Sequence, residues 1–287
     1  MNPDLVETRG PLAIVCGGGV LPFAVADAVR SRGQEVVLFA IKGAADAARV
    51  KSYPHHWIGI GDAGKLYAGL RKEGCRDITF IGSVTRPSIK HIRVSLRTLL
   101  MLPRILSGFR GGDDHLLSKL GRVVANYGFH VVAPHEAAPE ILIGEGDLTV
   151  RKPSSSDQAD IARGFDLLRA VGPYDVGQAA VVVNQHVLAV EGIEGTDAML
   201  ARIAELRRQG RVNTAVGVGV LVKTAKPGQD RRFDLPAIGP QTIAGLELAG
   251  LGGIAVSAGE AVIAEPAEMV RAADAAHIFV TAVKARQ

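Results

Sequence analysis

From residue 12 onward, short runs of Val, Ile and Leu alternate with stretches whose apolar positions recur every three or four residues. Runs at 12–16 and 35–41 bracket a helical pattern over 21–32, and Gly33 stands at the C′ position, where glycine is favoured. That is the signature of a βαβ unit. A second helical stretch over 62–74 has Asp62 at its N-cap, and a strand over 77–84 follows. Residues 86–110 then carry Arg86, Lys90, Arg93, Arg97, Arg104 and Arg110 without an acid, interleaved with Ile89, Ile92, Leu96, Leu99 and Leu100 at helical spacing. A helix over 111–128 and a strand over 129–136 close this half.

Pro139 and Gly144 mark 137–154 as a linker. Beyond it, a helix over 156–171 precedes two apolar runs that flank Asn184, Gln185 and His186, the pattern of a hairpin over 179–190. Alternation then resumes: a helix over 195–210 with Thr196 as N-cap, a strand over 215–223, a helix over 240–253, and a strand, helix and strand to residue 283. The expected class is therefore α/β. A Rossmann-like nucleotide-binding N-terminal domain with a parallel sheet spans 11–136, and a catalytic α/β domain with a mixed sheet spans 155–287.

A chain of 287 residues has room for two cores, and its 47% hydrophobic and 22% charged content is that of a globular protein rather than a disordered one. Cys16 and Cys75 are its two cysteines, too few for a disulfide framework, which suits buried thiols in a reducing cytoplasm. The first ten residues include Asp4 and Glu7 and have no apolar run of the signal-peptide kind. Glycine, proline or charge interrupts each apolar run before it reaches the roughly 20 residues of a membrane span. Aromatics at 5% offer little for stacking on bases, so nucleic acid is not an expected partner.

Read as G-x-G-x-x-G from Gly17, the first turn has Pro22 at its third position, and Ala40, Ile41 and Lys42 stand where a ribose-binding acid would be. A strand-turn-helix anion site is compatible with this, as is a plain tight turn. Gly59, Gly64 and Lys65 match P-loop spacing, but Leu66 replaces the Mg²⁺-binding hydroxyl. The densest polar cluster is 222–239, where Lys223, Lys226, Arg231 and Arg232 surround Asp230 and Asp234 after an apolar strand. Cations there suit phosphate oxygens, and a carboxylate among them suits a metal ion or an attacking water; a solvated loop of ion pairs is the alternative. Asp113, Asp114, Glu194 and Asp197 lie at expected helix starts, where capping also explains them. The eight histidines form no zinc pattern, and Ser83 lacks the second glycine of a nucleophile elbow.

Taken in order, "CGGGVLP", "FIGSVTRP", "GGDDHLL", "DVGQAAVV", "EGTDAML" and "KTAKPGQDRRFDLPAIGPQTI" resemble the UDP-2,3-diacylglucosamine pyrophosphatase family of the LpxI type, from about residue 12 to residue 280. The resemblance implies hydrolysis of UDP-2,3-diacylglucosamine to UMP and 2,3-diacylglucosamine 1-phosphate in lipid A biosynthesis. Mg²⁺ is the implied cofactor, with Mn²⁺ as a substitute. It makes Asp234 the key carboxylate and metal ligand, joined by Asp197 as a metal ligand. Lys223 and Lys226 become catalytic, and Gly18, Gly19, Asp114, Gln178 and Thr196 substrate-binding. A cytoplasmic homodimer follows, peripheral on the inner membrane face, with the basic 86–110 segment as one candidate contact with anionic lipid. Ser83 departs from the Asn expected in many relatives. Two alternatives stand beside this: a nucleotide-dependent oxidoreductase on a Rossmann-like fold, and a non-enzymatic protein that binds lipid or a membrane surface.

Overall fold

The computed structural model describes residues 10–84, 124–226 and 235–284. They fall into two compact units, one up to Glu140 and one from Ile141. In the first, β1 (Leu12–Cys16) and β2 (Val36–Ile41) are buried along their whole length. Continuous apolar runs of this kind belong to a parallel sheet covered on both faces. With β3 (His55–Ile58), β4 (Asp77–Ile81) and β5 (His130–Val131) they form a five-stranded sheet in the order β3-β2-β1-β4-β5, every pair parallel. This is the doubly wound order, whose direction reverses between β1 and β4.

Helix α1 (Leu21–Ser31) buries Phe23, Ala26 and Val29 at three-residue spacing and gives way to Gly33 at φ +82°. Helix α2 (Ala47–Val50) is capped by the Asp46 carboxylate, which accepts from the Ala48 and Arg49 amides. Helix α3 (Ala63–Lys72) starts after Asp62, whose carboxylate turns to Lys65 at 3.0 Å instead of capping the helix. Edge strand β3 escapes the sequence pattern because His55 and His56 break its apolar run. The strand expected over 129–136 shortens to two residues, because Pro134 opens a short helix, α4 (Pro134–Ala137).

The second unit has a six-stranded mixed sheet in the order β6-β13-β11-β9-β7-β8. Parallel strands β9 (Val220–Lys223), β11 (Gly253–Ser257) and β13 (Phe279–Val283) form its middle. The hairpin of β7 (Ala179–Val183) and β8 (His186–Val190) runs antiparallel on one side, and β6 (Gly146–Asp147) on the other. The α/β class, the parallel first sheet and the mixed second sheet are as expected. Residues 137–154, expected as a linker, instead supply edge strand β6 and the buried Ile143 and Thr149. A small parallel pair, β10 (Ala237–Ile238) with β12 (Val262–Ile263), completes the strands described.

Strand periodicity sorts the core into two layers. Val181, Leu221, Ile254 and Val256 face α6 (Gly195–Arg208), α7 (Pro240–Ala249) and α8 (Pro266–Ala275). Ala180, Val220, Val222 and Ala255 face α5 (Ser155–Val171). The hairpin turn has Asn184 and Gln185 at φ +48° and +66°, as a two-residue type I′ turn requires. Buried Asp160 of α5 holds that turn, accepting from the Asn184 amide at 2.9 Å, the Gln185 amide at 2.6 Å and Gln185 Nε2 at 2.9 Å.

Candidate active site at the carboxyl edge of the second sheet

Strand directions decide which residues meet. Strands β8, β9 and β11 end at the same edge of the sheet, and antiparallel β7 begins there, with Ala179 opposite Lys223 and Ala180 opposite Val190. Gln178, Glu191, Lys223, Thr224 and Ser257 therefore converge, and α6 opens directly after β8. Open α/β sheets bind their ligands at this edge.

A chain of side chains crosses it. Lys223 Nζ donates to Thr196 Oγ1 and to the Ala237 carbonyl, both at 3.1 Å. Thr196 Oγ1 donates to Glu191 Oε1 at 2.8 Å, and Glu191 Oε2 accepts the Gln178 amide at 2.9 Å. Beside it, Lys226 Nζ pairs with Asp175 Oδ1 at 2.6 Å, and Asp175 is held at φ +53°. Thr224 Oγ1 meets the buried Ser257 hydroxyl at 2.7 Å. Asp197 Oδ2 accepts Gln241 Nε2 at 3.1 Å. The N-cap residue of α6 is Glu194, not Thr196; its carboxyl is held below its ordinary pKa, first by its own backbone N–H and further by Arg202. Thr196 lies one residue inside the helix, which frees its hydroxyl for Glu191.

Of the residues expected at the site, Gln178, Thr196, Lys223 and Lys226 lie along this edge, with Asp197 in the first turn of α6. Asp114 and Asp234 lie outside the described residues, as do the 86–110 segment, Arg231 and Arg232. Glu191 and Asp175 were missed from sequence. Each lies in a polar loop and acquires its partner only through strand pairing.

Gly18 and Gly19 are in the first unit and have different surroundings. The Gly17 amide donates to the Ile81 carbonyl at 2.9 Å; the Gly18 amide donates to the Ser83 carbonyl at 2.7 Å, and the Gly18 carbonyl accepts the Ser83 amide in return at 3.0 Å. A Cβ at Gly17 would stand 2.7 Å from Gly82 backbone atoms. These two glycines serve close backbone approach across the β1/β4 crevice, and the Gly18 amide is engaged by the Ser83 carbonyl. Gly19 differs: at φ +86°, nothing described lies within 4 Å of its missing Cβ, and α1 begins two residues later.

Among the described residues no three His, Cys, Asp or Glu side chains group as metal ligands. Asp197 offers a carboxylate already bonded to Gln241, and Glu191 spends its oxygens on Gln178 and Thr196. The described residues alone thus form no complete Mg²⁺ or Mn²⁺ site, and of the two expected ligands only Asp197 is among them. No described helix is long and apolar enough to cross a membrane.

Fold and site together define a two-unit α/β protein that fixes a lysine at a sheet's carboxyl edge, an arrangement suited to anionic ligands. Residues 11–141 match the LpxI N-terminal domain and residues 144–281 the LpxI C-terminal domain. A curated relative, the UDP-2,3-diacylglucosamine pyrophosphatase LpxI of Caulobacter vibrioides, is 37% identical over 95% of this chain and 97% of its own. The chain belongs to the LpxI family, and it is an enzyme. Solved structures show only distant likenesses. UDP-glucose 4-epimerase from Stenotrophomonas maltophila is 15% identical over 42% of this chain and 34% of that one, at a TM-score of 0.26. A glycinamide transformylase from Mycobacterium tuberculosis is 14% identical over 63% and 43%, at 0.24. At these scores neither bears on function.

Proposed function

We propose that this enzyme hydrolyses the pyrophosphate of UDP-2,3-diacylglucosamine, releasing UMP and 2,3-diacylglucosamine 1-phosphate for lipid A biosynthesis. The near-full-length relative supports the substrate. The observation that carries the chemistry is the Lys223 ammonium, held between Thr196 and Ala237 at the sheet edge. Attack by water on one phosphorus breaks its bond to the bridging oxygen, and negative charge grows on the departing phosphate. Fixed cations placed before the reaction stabilise that charge without reorganising. Lys223 fills this role, and Lys226, oriented by Asp175, neutralises a second phosphoryl oxygen.

Gly19 and the start of α1 serve as the phosphate-facing part of the first unit, and Gln178 and Asp114 as further substrate contacts. Metal dependence also belongs to the proposal. Mg²⁺, or Mn²⁺ in its place, would supply charge neutralisation at phosphoryl oxygens, with Asp234 and Asp197 contributing ligands. The proposal also includes a peripheral homodimer at the cytoplasmic face of the inner membrane, a location that suits a substrate joining a polar nucleotide to two acyl chains. UMP release from the lipid substrate, with Mg²⁺, Mn²⁺ or EDTA, tests the reaction and the metal together. Release that persists in EDTA removes the metal; no release under any condition removes the reaction.

A further inference from the structure

We infer that Glu191 is a positioning residue, which aims the Lys223 ammonium through the Thr196 hydroxyl; the inference rests on the pyrophosphatase reading. Donor and acceptor chemistry gives the chain one direction. An ammonium only donates and a carboxylate only accepts, so the hydroxyl between them must accept from Lys223 and donate to Glu191. Without Glu191, the Thr196 hydrogen is free to rotate toward the ammonium, and the hydroxyl no longer presents a fixed lone pair to Lys223.

Glu191 is itself fixed to the sheet. Its amide donates to the Ala179 carbonyl at 2.8 Å, and its second carboxylate oxygen takes the Gln178 amide at 2.9 Å. Gly177 packs on it so closely that any Cβ there would overlap the Glu191 backbone. Through this anchoring, the rigidity of the β7–β8 hairpin extends to the tip of a side chain with four rotatable bonds. A lysine loses much rotamer freedom when it is fixed, so a group meant to meet a transition state gains from being held in advance. Thr196 then works as the link to Lys223 rather than as a direct contact to substrate.

The test is a double-mutant cycle on UMP release, with melting temperature measured on every variant. Glu191→Gln and Thr196→Val are each expected to lower kcat about 10- to 100-fold, the scale of a displacement below 1 Å, with KM little changed. Thr196→Ser should restore most of what Thr196→Val loses. The double variant should be no worse than the poorer single, because both break one chain. Multiplicative losses, or a kcat in Glu191→Gln equal to that of the wild type, would overturn the role. If Glu191→Gln fails to fold, the Thr196→Val and Thr196→Ser pair decides, since it leaves the Gln178 bond intact. A wild type that releases no UMP defeats the pyrophosphatase reading instead, a separate result.

Discussion

Each unit binds together the loops at the carboxyl edge of its sheet, but with different materials. In the first, the turns after β1 and β4 are joined by backbone alone, Gly17 to Ile81 and Gly18 to Ser83 in both directions. In the second, the segments around β7, β8 and β9 are joined through side chains, from Gln178 through Glu191 and Thr196 to Lys223. Backbone lacing requires glycine, because any Cβ would stand in the way. Side-chain lacing leaves a cation at its end. A glycine-rich turn is thus a sign of close approach before it is a sign of a ligand, whereas a lysine held by two acceptors at a strand end makes a candidate site for an anion.

Changes at the two edges should therefore separate activity from stability. Lys223→Met is expected to have the largest effect, lowering kcat for UMP release about 10²- to 10³-fold, as when one fixed transition-state donor is removed. Gly82→Ala should act on the other edge: at φ +103°, and with a Cβ 2.7 Å from the Gly18 carbonyl oxygen, it should cost roughly 2 to 3 kcal/mol, read by chemical denaturation. Asp175→Ala, which removes the carboxylate that orients Lys226, should lower kcat about tenfold, or roughly 1.4 kcal/mol of barrier.

The smallest effect concerns the thiols. Burial raises Cys16 and Cys75 from 9.0 to about 11, so both stay protonated and unreactive toward disulfide reagents at pH 8. The unfolded chain loses these protons first as pH rises past 9. The folded state then holds more protons, and stability should fall between pH 9 and 11, as urea midpoints would show. Rapid labelling of the folded chain at pH 8 would contradict the burial.

Much of this was legible in the sequence because the information was local. Apolar periodicity located β1, α1 and β2, and cation density after the β9 run pointed to Lys223 and Lys226. What escaped was non-local. Glu191 reads as one more acid in a polar loop until the hairpin pairs Ala180 with Val190 and brings Gln178 beside it. Thr196 reads as an N-cap because its hydroxyl is one residue from the helix start, yet that hydroxyl turns to Glu191 instead. The pairing of Gly18 with Ser83 is equally non-local, since it joins the turns after β1 and β4. The linker over 137–154 escaped for a similar reason: a two-residue edge strand has no periodicity of its own.

The most direct test of the central claim is single-turnover release of UMP from UDP-2,3-diacylglucosamine by the wild type and by Lys223→Met at matched folded concentrations. The expected result is metal-stimulated release by the wild type and a rate at least about 100-fold lower in the variant, with an unchanged melting temperature. Equal rates in the two proteins would show that the ammonium at the sheet edge does not carry the reaction.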